Sequence, residues 1–331
     1  MDYLRPSDVE ILITCMVLRA QDKCSINVFI TITIIIIIII STTYFFDFLP
    51  SFCTSPNFNC GINKHLQIKD PNAHDGKETV SDIMLERNPR RLGKDEPYIG
   101  NLGSGSDYAG FYQHIGVPSV DFSYYFGHNN KSLMYPVYHS QHDTYNWVKK
   151  FADPEFLFHK AMTQFGGGLL LDYAASPLLP MSVSRYADSL NQSFAQLQKQ
   201  HSSTLKSQNI SLDVLGQAIN TFRDATNDFE SRKAAIKPDA KFNILRQFND
   251  QMIQLERAFI NPYGLPGRHL VKHVVFAPGL HNTYGSASFP GVTDILFDVE
   301  KTGNWAEVKK QISIVVTSIL SAAELLAPIS K

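Results

Sequence analysis

The sequence predicts an α/β unit at residues 63–176, followed by an all-α unit at residues 177–331 that forms a four-helix bundle. The α/β prediction depends on the order loop, helix, glycine and strand between Asn101 and Tyr124, which is typical of α/β architecture. The all-α prediction depends on four long segments after Pro180 in which apolar residues recur at helical spacing. With 331 residues, the chain is long enough for two domains.

The α/β unit begins with a polar, turn-rich stretch at residues 62–98, predicted to be loop apart from a short helix at Val80–Arg87. Ser106 is then expected to cap a helix that ends at Gly116, since helices commonly stop at a glycine in left-handed conformation. A strand is predicted to follow at Pro118–Tyr124.

A second helix of this unit is predicted to start at Asp153 and Pro154. Aspartate caps a helix N-terminus well, and proline fits the first helical position. The helix is expected to run to about Asp172. Pro177 and Pro180 break the chain beyond it, so we place the domain boundary between residues 176 and 177.

The all-α unit is predicted from apolar stripes that would pack toward a shared core. Ser211 and Asn304 are candidate caps for its second and fourth helices. The segment at residues 261–303 is rich in glycine and proline and is predicted to be a long loop, a kind of segment that is often functional. The four stripes run over Tyr186–Leu197, Leu215–Phe229, Leu245–Phe259 and Trp305–Leu326.

The first 62 residues differ in composition from the rest and contain all four cysteines of the chain. Residues 26–46 are uncharged and include a run of isoleucines. About 20 apolar residues are enough to span a bilayer. Arg19 and Lys23 precede this run, which predicts a single-pass type II protein whose C-terminal bulk is extracellular or lumenal. The alternative is that a homopolymer of isoleucine reflects translated repetitive DNA, and thus an artefact of gene prediction.

The charges of the chain exclude one class of partner. Basic and acidic residues number 30 and 31, and no basic patch stands out, so a nucleic-acid partner is not expected. Glycosylation sequons begin at Asn130, Asn191 and Asn209, and they predict a glycoprotein if the chain is secreted.

The strongest chemical signal lies in the stretch Tyr135–Thr144. His139 stands there in a small-polar and acidic setting, which is typical of a zinc-binding imidazole in a co-catalytic zinc peptidase. Tyr138 can donate to a developing oxyanion, and Asp143 can orient an imidazole. A lone histidine is nevertheless more often structural, and a dinuclear zinc site needs about five or six donors, of which the sequence offers only this one. His142 is expected to be exposed to solvent.

Two other segments are candidates for substrate binding. Ser104, Gly105 and Ser106 precede a helix, so their backbone N–H groups can hold a carbonyl or a carboxylate, or can simply form a capping turn. Asn282 and Tyr284 can bind a substrate carboxylate, although an ordinary turn is the simpler interpretation.

From about Asn63 to its end, the chain resembles glutamate carboxypeptidase II and the N-acetylated alpha-linked acidic dipeptidase-like proteins, a layout that the transferrin receptor shares. No single block carries this resemblance, which depends on the joint order of several. The blocks are Leu102–Asp107, Gly116–Phe122, Tyr135–Ser140, Phe151–Pro154, Gln251–Phe259 and Ser288–Gly291.

The resemblance implies that residues 63–176 are the C-terminal part of a zinc peptidase domain and that residues 177–331 are a transferrin receptor-like helical dimerisation domain. It implies that His139 is the last zinc ligand and that Tyr138 is the catalytic tyrosine that bonds the tetrahedral intermediate. Zinc is the implied cofactor, and a homodimer the implied assembly.

By the same resemblance, the substrate-binding residues are Ser104, Gly105 and Ser106, which line the cleft, with Asn282 and Tyr284, which hold the C-terminal carboxylate of a peptide.

The chain also departs from this family. The other zinc ligands and the glutamate base are missing, so we expect a fragment that is inactive alone. In the hydrolases of this family that cleave acidic peptides, arginines stand at the positions of Asp121 and Ser123, and a lysine stands at the position of Thr283. The loss of these cations favours neutral peptide substrates. The alternative function is a non-catalytic dimerisation or receptor module of the transferrin receptor type. Retention of His139 favours the peptidase.

Overall fold

The computed structural model describes residues 48–54, 66–87, 98–126 and 136–329, with the backbone alone at residues 48–54, 125–126 and 282–284. The predicted membrane segment at residues 26–46 lies outside this part of the chain. Within the described ranges, no helix is long and apolar enough to cross a membrane.

The region before the predicted domain boundary contains both strands and helices, and one of its helices, at Gly110–His114, is a π-helical turn. A π-helical turn at Val148–Ala152 continues its third helix. The elements are β1 (Phe48–Thr54), β2 (Lys69–His74), β3 (Lys77–Thr79), α1 (Val80–Arg87), β4 (Gly100–Asn101), α2 (Gly110–His114), β5 (Val120–Phe126), α3 (Tyr145–Trp147) and α4 (Leu157–Ala175).

The sheet of this region has the order β4-β1-β5, with β1 parallel to β4 and antiparallel to β5. β1 lies inside the segment that the sequence leaves unmatched, and it pairs Phe52 with Phe122 of β5. On β5, Phe122 packs edge-on against Phe165 of α4, with ring centroids 4.7 Å apart. The predicted strand at Pro118–Tyr124 is thus present, shifted by two residues.

Residues 62–98 were predicted to be loop with one helix. The helix α1 is present, but a hairpin of β2 and β3 precedes it. Its turn places Asp75 and Gly76 at positive φ, 46° and 79°. The buried Asp70 carboxylate at the other end accepts hydrogen bonds from the Asn72 amide and the Tyr124 hydroxyl, at 2.7 and 2.9 Å.

Helix α4 begins at Leu157, later than the predicted start at Asp153 and Pro154, because Phe156 adopts a left-handed conformation with φ 55°. Asp153 nevertheless acts as the cap. Its carboxylate accepts hydrogen bonds from the backbone N–H groups of Leu157 and His159, at 2.8 and 3.0 Å.

The region after the boundary is mainly helical, and the four predicted helices are present there. The segment at residues 261–303, predicted to be loop, instead contains a two-stranded sheet and a fifth helix, α8. Pro290 fits the first turn of this helix, and its apolar residues face the core. The elements are α5 (Ser184–Ser207), α6 (Asp213–Ala234), α7 (Phe242–Arg257), β6 (Phe276–Gly279), β7 (Asn282–Ser288), α8 (Pro290–Thr302) and α9 (Trp305–Leu325).

The core of the helical region is aromatic. Tyr186 of α5 stacks on Phe259 with ring centroids 4.7 Å apart, and it meets Phe222 of α6 edge-on. Helix α6 packs against both α5 and α9. Of the two predicted caps, Asn304 is the N-cap residue of α9, but its side chain makes no cap bond. Ser211 lies one residue before the N-cap Leu212 of α6, and its hydroxyl accepts a hydrogen bond from the Asp213 amide at 2.9 Å.

Candidate active site

Tyr138 and His139 lie together in a tight turn at residues 136–142. Their rings stack with centroids 3.7 Å apart, and the imidazole is exposed. Ser140 holds the turn, because its hydroxyl donates to the Val137 carbonyl at 2.7 Å and accepts from the His142 amide at 3.1 Å. Sequence reasoning did not identify this role of Ser140.

The backbone of His139 is strained. Its φ is 58°, in the left-handed region that residues other than glycine adopt only occasionally. Such conformations cluster at functional sites, where the surrounding structure has to maintain them. The imidazole is exposed, which is compatible with a ligand role. His142 is exposed as predicted.

Two hydrogen bonds join the Ser104–Ser106 loop to residues that follow it. The Gly105 amide donates to the Tyr108 hydroxyl at 3.2 Å, and the Ala109 amide donates to the Ser106 carbonyl at 3.0 Å. The expected cap at Ser106 is not formed, because the N-cap residue of α2 is Ala109 and no side chain caps this helix. Gly105 is exposed, and the two serines are half-buried.

Asn282 and Tyr284 belong to β7, where the backbone of Asn282 pairs with Gly279. Their side chains lie outside the described residues. Two residues that the sequence did not reveal support this hairpin: Arg268 donates to the Pro278 carbonyl and to the Asp294 carboxylate. Asp294 in turn accepts from the Leu280 amide at 3.0 Å.

Within the described ranges, no group of three or more His, Cys, Asp or Glu side chains could hold a metal ion. His139 is therefore one donor without the rest of a centre, and these residues do not by themselves fit a dinuclear zinc site. His273, a buried histidine, has both ring nitrogens engaged. Its Nδ1 accepts from the Phe276 amide at 3.0 Å, and its Nε2 lies 2.9 Å from Glu256 Oε1.

Glu256 is the centre of a buried polar cluster, which we call the Glu256 cluster and define as Tyr112, Tyr186, Glu256 and His273. The Tyr186 hydroxyl donates to Glu256 Oε1 at 2.9 Å, and the Tyr112 ring stacks on His273 at 4.8 Å. Burial raises the pKa of both tyrosines well above the ordinary value, and the Glu256 charge raises it further. Both phenols therefore stay protonated at neutral pH.

Asp121 and Ser123 share the face of β5 opposite to the buried Phe122 and Tyr124, since strand side chains alternate. Burial raises the pKa of Asp121 from 3.8 to about 6, although a hydrogen bond to the Phe122 backbone opposes the shift. The carboxylate is thus ionised at neutral pH in a poorly solvated place.

Replacing Asp121 with asparagine is expected to stabilise the protein at pH 7.5 by about 1–3 kcal/mol, since one pKa unit corresponds to about 1.4 kcal/mol. Folding raises the pKa of Asp121, so the charge of its carboxylate destabilises the folded protein. This destabilisation is absent below pH 3.8, grows between pH 3.8 and about 6, and is complete above it. Urea denaturation of both proteins at pH 7.5 and pH 4 measures the difference, which should be much smaller at pH 4. The exposed Asp239, replaced by asparagine, is the control. An equal effect at both pH values would contradict ionisation as the cause.

Known proteins match both regions of the chain. Residues 210–327 match the transferrin receptor-like dimerisation domain family. The aminopeptidase NAALADL1 of Mus musculus is 37% identical over 241 residues, which are 71% of this chain and 32% of that protein. The probable glutamate carboxypeptidase LAMP1 of Arabidopsis thaliana is 36% identical over 227 residues, which are 68% of this chain and 31% of that protein.

The resemblance to the glutamate carboxypeptidase II family is confirmed. The chain spans about a third of the length of the curated relatives it matches. The similarity to the mouse aminopeptidase covers 71% of this chain. A segment of that length includes His139 wherever it begins, so the similarity to this family extends into the His139 region.

Proposed function

We propose that this chain forms the C-terminal portion of a zinc-dependent exopeptidase that hydrolyses peptide bonds, with the helical region as its homodimerisation domain. The observation that carries the proposal is the similarity to peptidases across both regions, since a dimerisation module alone would match only residues 210–327. The strained, exposed His139 supports it.

In this function, His139 supplies one ligand of a zinc centre whose other ligands come from outside the described residues. Zinc polarises the scissile carbonyl when it is bound. The Tyr138 hydroxyl, next to His139, donates a hydrogen bond to the oxyanion that forms from this carbonyl. The Ser104–Ser106 loop lines the cleft, and Asn282 and Tyr284 of the β6–β7 hairpin take the C-terminal carboxylate of the substrate.

The proposed substrates are neutral or apolar peptides. Asp121, Ser123 and Thr283 offer no cation to an acidic side chain, and the ionised Asp121 would repel one. Homodimerisation is supported by the match of residues 210–327 to the transferrin receptor-like dimerisation domain family. The helical region also exposes several large apolar side chains. Phe242, Leu280, Phe297 and Leu320 are examples.

Zinc analysis separates the peptidase from a receptor-type module. After dialysis, the 331-residue chain is expected to hold much less than one zinc ion per chain, because a single imidazole cannot retain it. A protein in which a complete peptidase segment precedes residue 66 should hold two zinc ions and hydrolyse neutral dipeptides. His139→Ala in that protein should remove both properties, and His142→Ala, at an exposed histidine in the same turn, is the control.

Two zinc ions retained by the 331-residue chain would contradict the proposed fragment. A completed protein that folds but neither binds zinc nor cleaves peptides would favour the receptor-type module instead.

A further inference from the structure

Helix α2 rests on the segment that connects α7 to β6, and three consecutive residues of the helix make the contacts. The Tyr112 ring stacks on His273 at 4.8 Å. The Gln113 carbonyl accepts a hydrogen bond from the Lys272 amide at 2.9 Å. His114 Nδ1 lies 3.0 Å from the Leu270 carbonyl oxygen. Helix α2 is therefore fixed to the helical region at its backbone as well as through side chains.

The Gln113 side chain extends this attachment to the candidate cleft loop. It is 4% exposed, and its Nε2 donates to the Gly103 carbonyl at 3.1 Å. Gly103 is itself buried and directly precedes Ser104. One residue thus joins the helical region, through its backbone, to the base of the Ser104–Ser106 loop, through its carboxamide.

The contact with Gly103 fixes the orientation of the Gln113 carboxamide. A carbonyl oxygen can only accept, so the Gly103 carbonyl fixes which end of the amide faces it. The other end, Oε1, is buried and has no hydrogen-bond partner among the described residues. The contact with Gly103 is therefore the one hydrogen bond that the carboxamide makes among the described residues.

We infer that Gln113 is a positioning residue that holds the Ser104–Ser106 loop against the helical region, so that the dimerisation domain also sets one wall of the substrate cleft. This inference rests on the proposed function for the role of the loop. The contacts that carry it belong to described residues throughout.

The chain provides a matched control for testing Gln113. Gln251 is also a buried carboxamide, 5% exposed, and its Nε2 donates to the carbonyls of Leu325 and Ala327 at 2.7 and 2.8 Å. Its contacts stay within the helical region. Gln113→Met and Gln251→Met therefore remove the same chemistry at similar burial, but only the first releases Gly103.

Hydrogen exchange of the 331-residue chain, followed by mass spectrometry, tests the contact without any activity. In Gln113→Met, exchange in peptides covering residues 102–107 should be at least about tenfold faster, since the loop then opens locally. In Gln251→Met, these peptides should exchange as in the parent. Unchanged exchange in Gln113→Met, or an equal rise in both variants, would overturn the inference. Gln113→Leu replaces the methionine variant if the latter does not fold.

Kinetics in the protein that carries the complete peptidase segment tests the consequence. Gln113→Met should raise KM for a neutral dipeptide about tenfold and leave kcat within about twofold, because the loop binds the substrate but does not react. Gln251→Met should change neither value. Faster exchange with an unchanged KM would overturn the link to the cleft. A parent protein without hydrolysis would instead count against the proposed function, and the exchange result would still decide the contact.

Discussion

Replacing Glu256 with alanine should lower the free energy of unfolding by about 2–6 kcal/mol, because two buried donors would lose the carboxylate that accepts their hydrogen bonds. The carboxylate is completely buried, and its Oε1 accepts from the Tyr186 hydroxyl and from His273 Nε2, both at 2.9 Å. Both donors are themselves buried, so alanine would leave them unsatisfied at about 1–3 kcal/mol each. Urea denaturation at pH 7.5 measures the loss.

The protonation of His273 makes the prediction sharper. Its Nδ1 accepts from the amides of Val275 and Phe276, at 3.3 and 3.0 Å, and therefore carries no proton. The proton must then be on Nε2, which donates to Glu256. Glu256→Gln keeps an acceptor oxygen at this place and should cost less than half as much as Glu256→Ala. Equal losses for the two variants would show that the acceptor is not what matters, and a loss below about 1 kcal/mol for alanine would contradict the prediction itself.

Local patterns predicted the long helices, because a stripe of apolar residues at helical spacing is visible within one segment. The stripe in Tyr186–Leu197 became the buried face of α5, and Gly116 ended its helix as expected. By contrast, β1 is defined by pairing with β5, which is about 70 residues away in sequence. Its composition, with Pro50 and Cys53, carries no alternating pattern that would reveal a strand.

The errors at residues 261–303 have a different cause. Glycine and proline indicate turns, but Pro290 is at the start of a helix, and Pro278 lies in a short strand. At the candidate site, Tyr138 and His139 were recognisable from residue type and order. The contact of Gln113 with Gly103, and the buried Glu256, were not: both residues look like ordinary polar residues in the sequence, and only the fold buries them.

Gly116 tests the contact between α2 and the helical region from the backbone side. Its φ is 65°, and an added Cβ would lie 2.7 Å from Ile260 Cγ1 and 2.9 Å from the Arg257 Cα. Gly116→Ala should therefore combine left-handed strain of about 1–2 kcal/mol with overpacking of about 1–3 kcal/mol. We expect a total loss of about 2–5 kcal/mol in the free energy of unfolding, measured by urea denaturation.

Gly303 separates these two terms. Its φ is 66°, nearly the same as at Gly116, but no atom lies within 4 Å of an added Cβ. Gly303→Ala should thus show the strain alone, about 1–2 kcal/mol. The difference between the variants measures how tightly α2 is seated on residues 257–260. Equal losses would mean that the two regions separate easily enough to admit a methyl group, and the seat of α2 would then be too loose to position the Ser104–Ser106 loop.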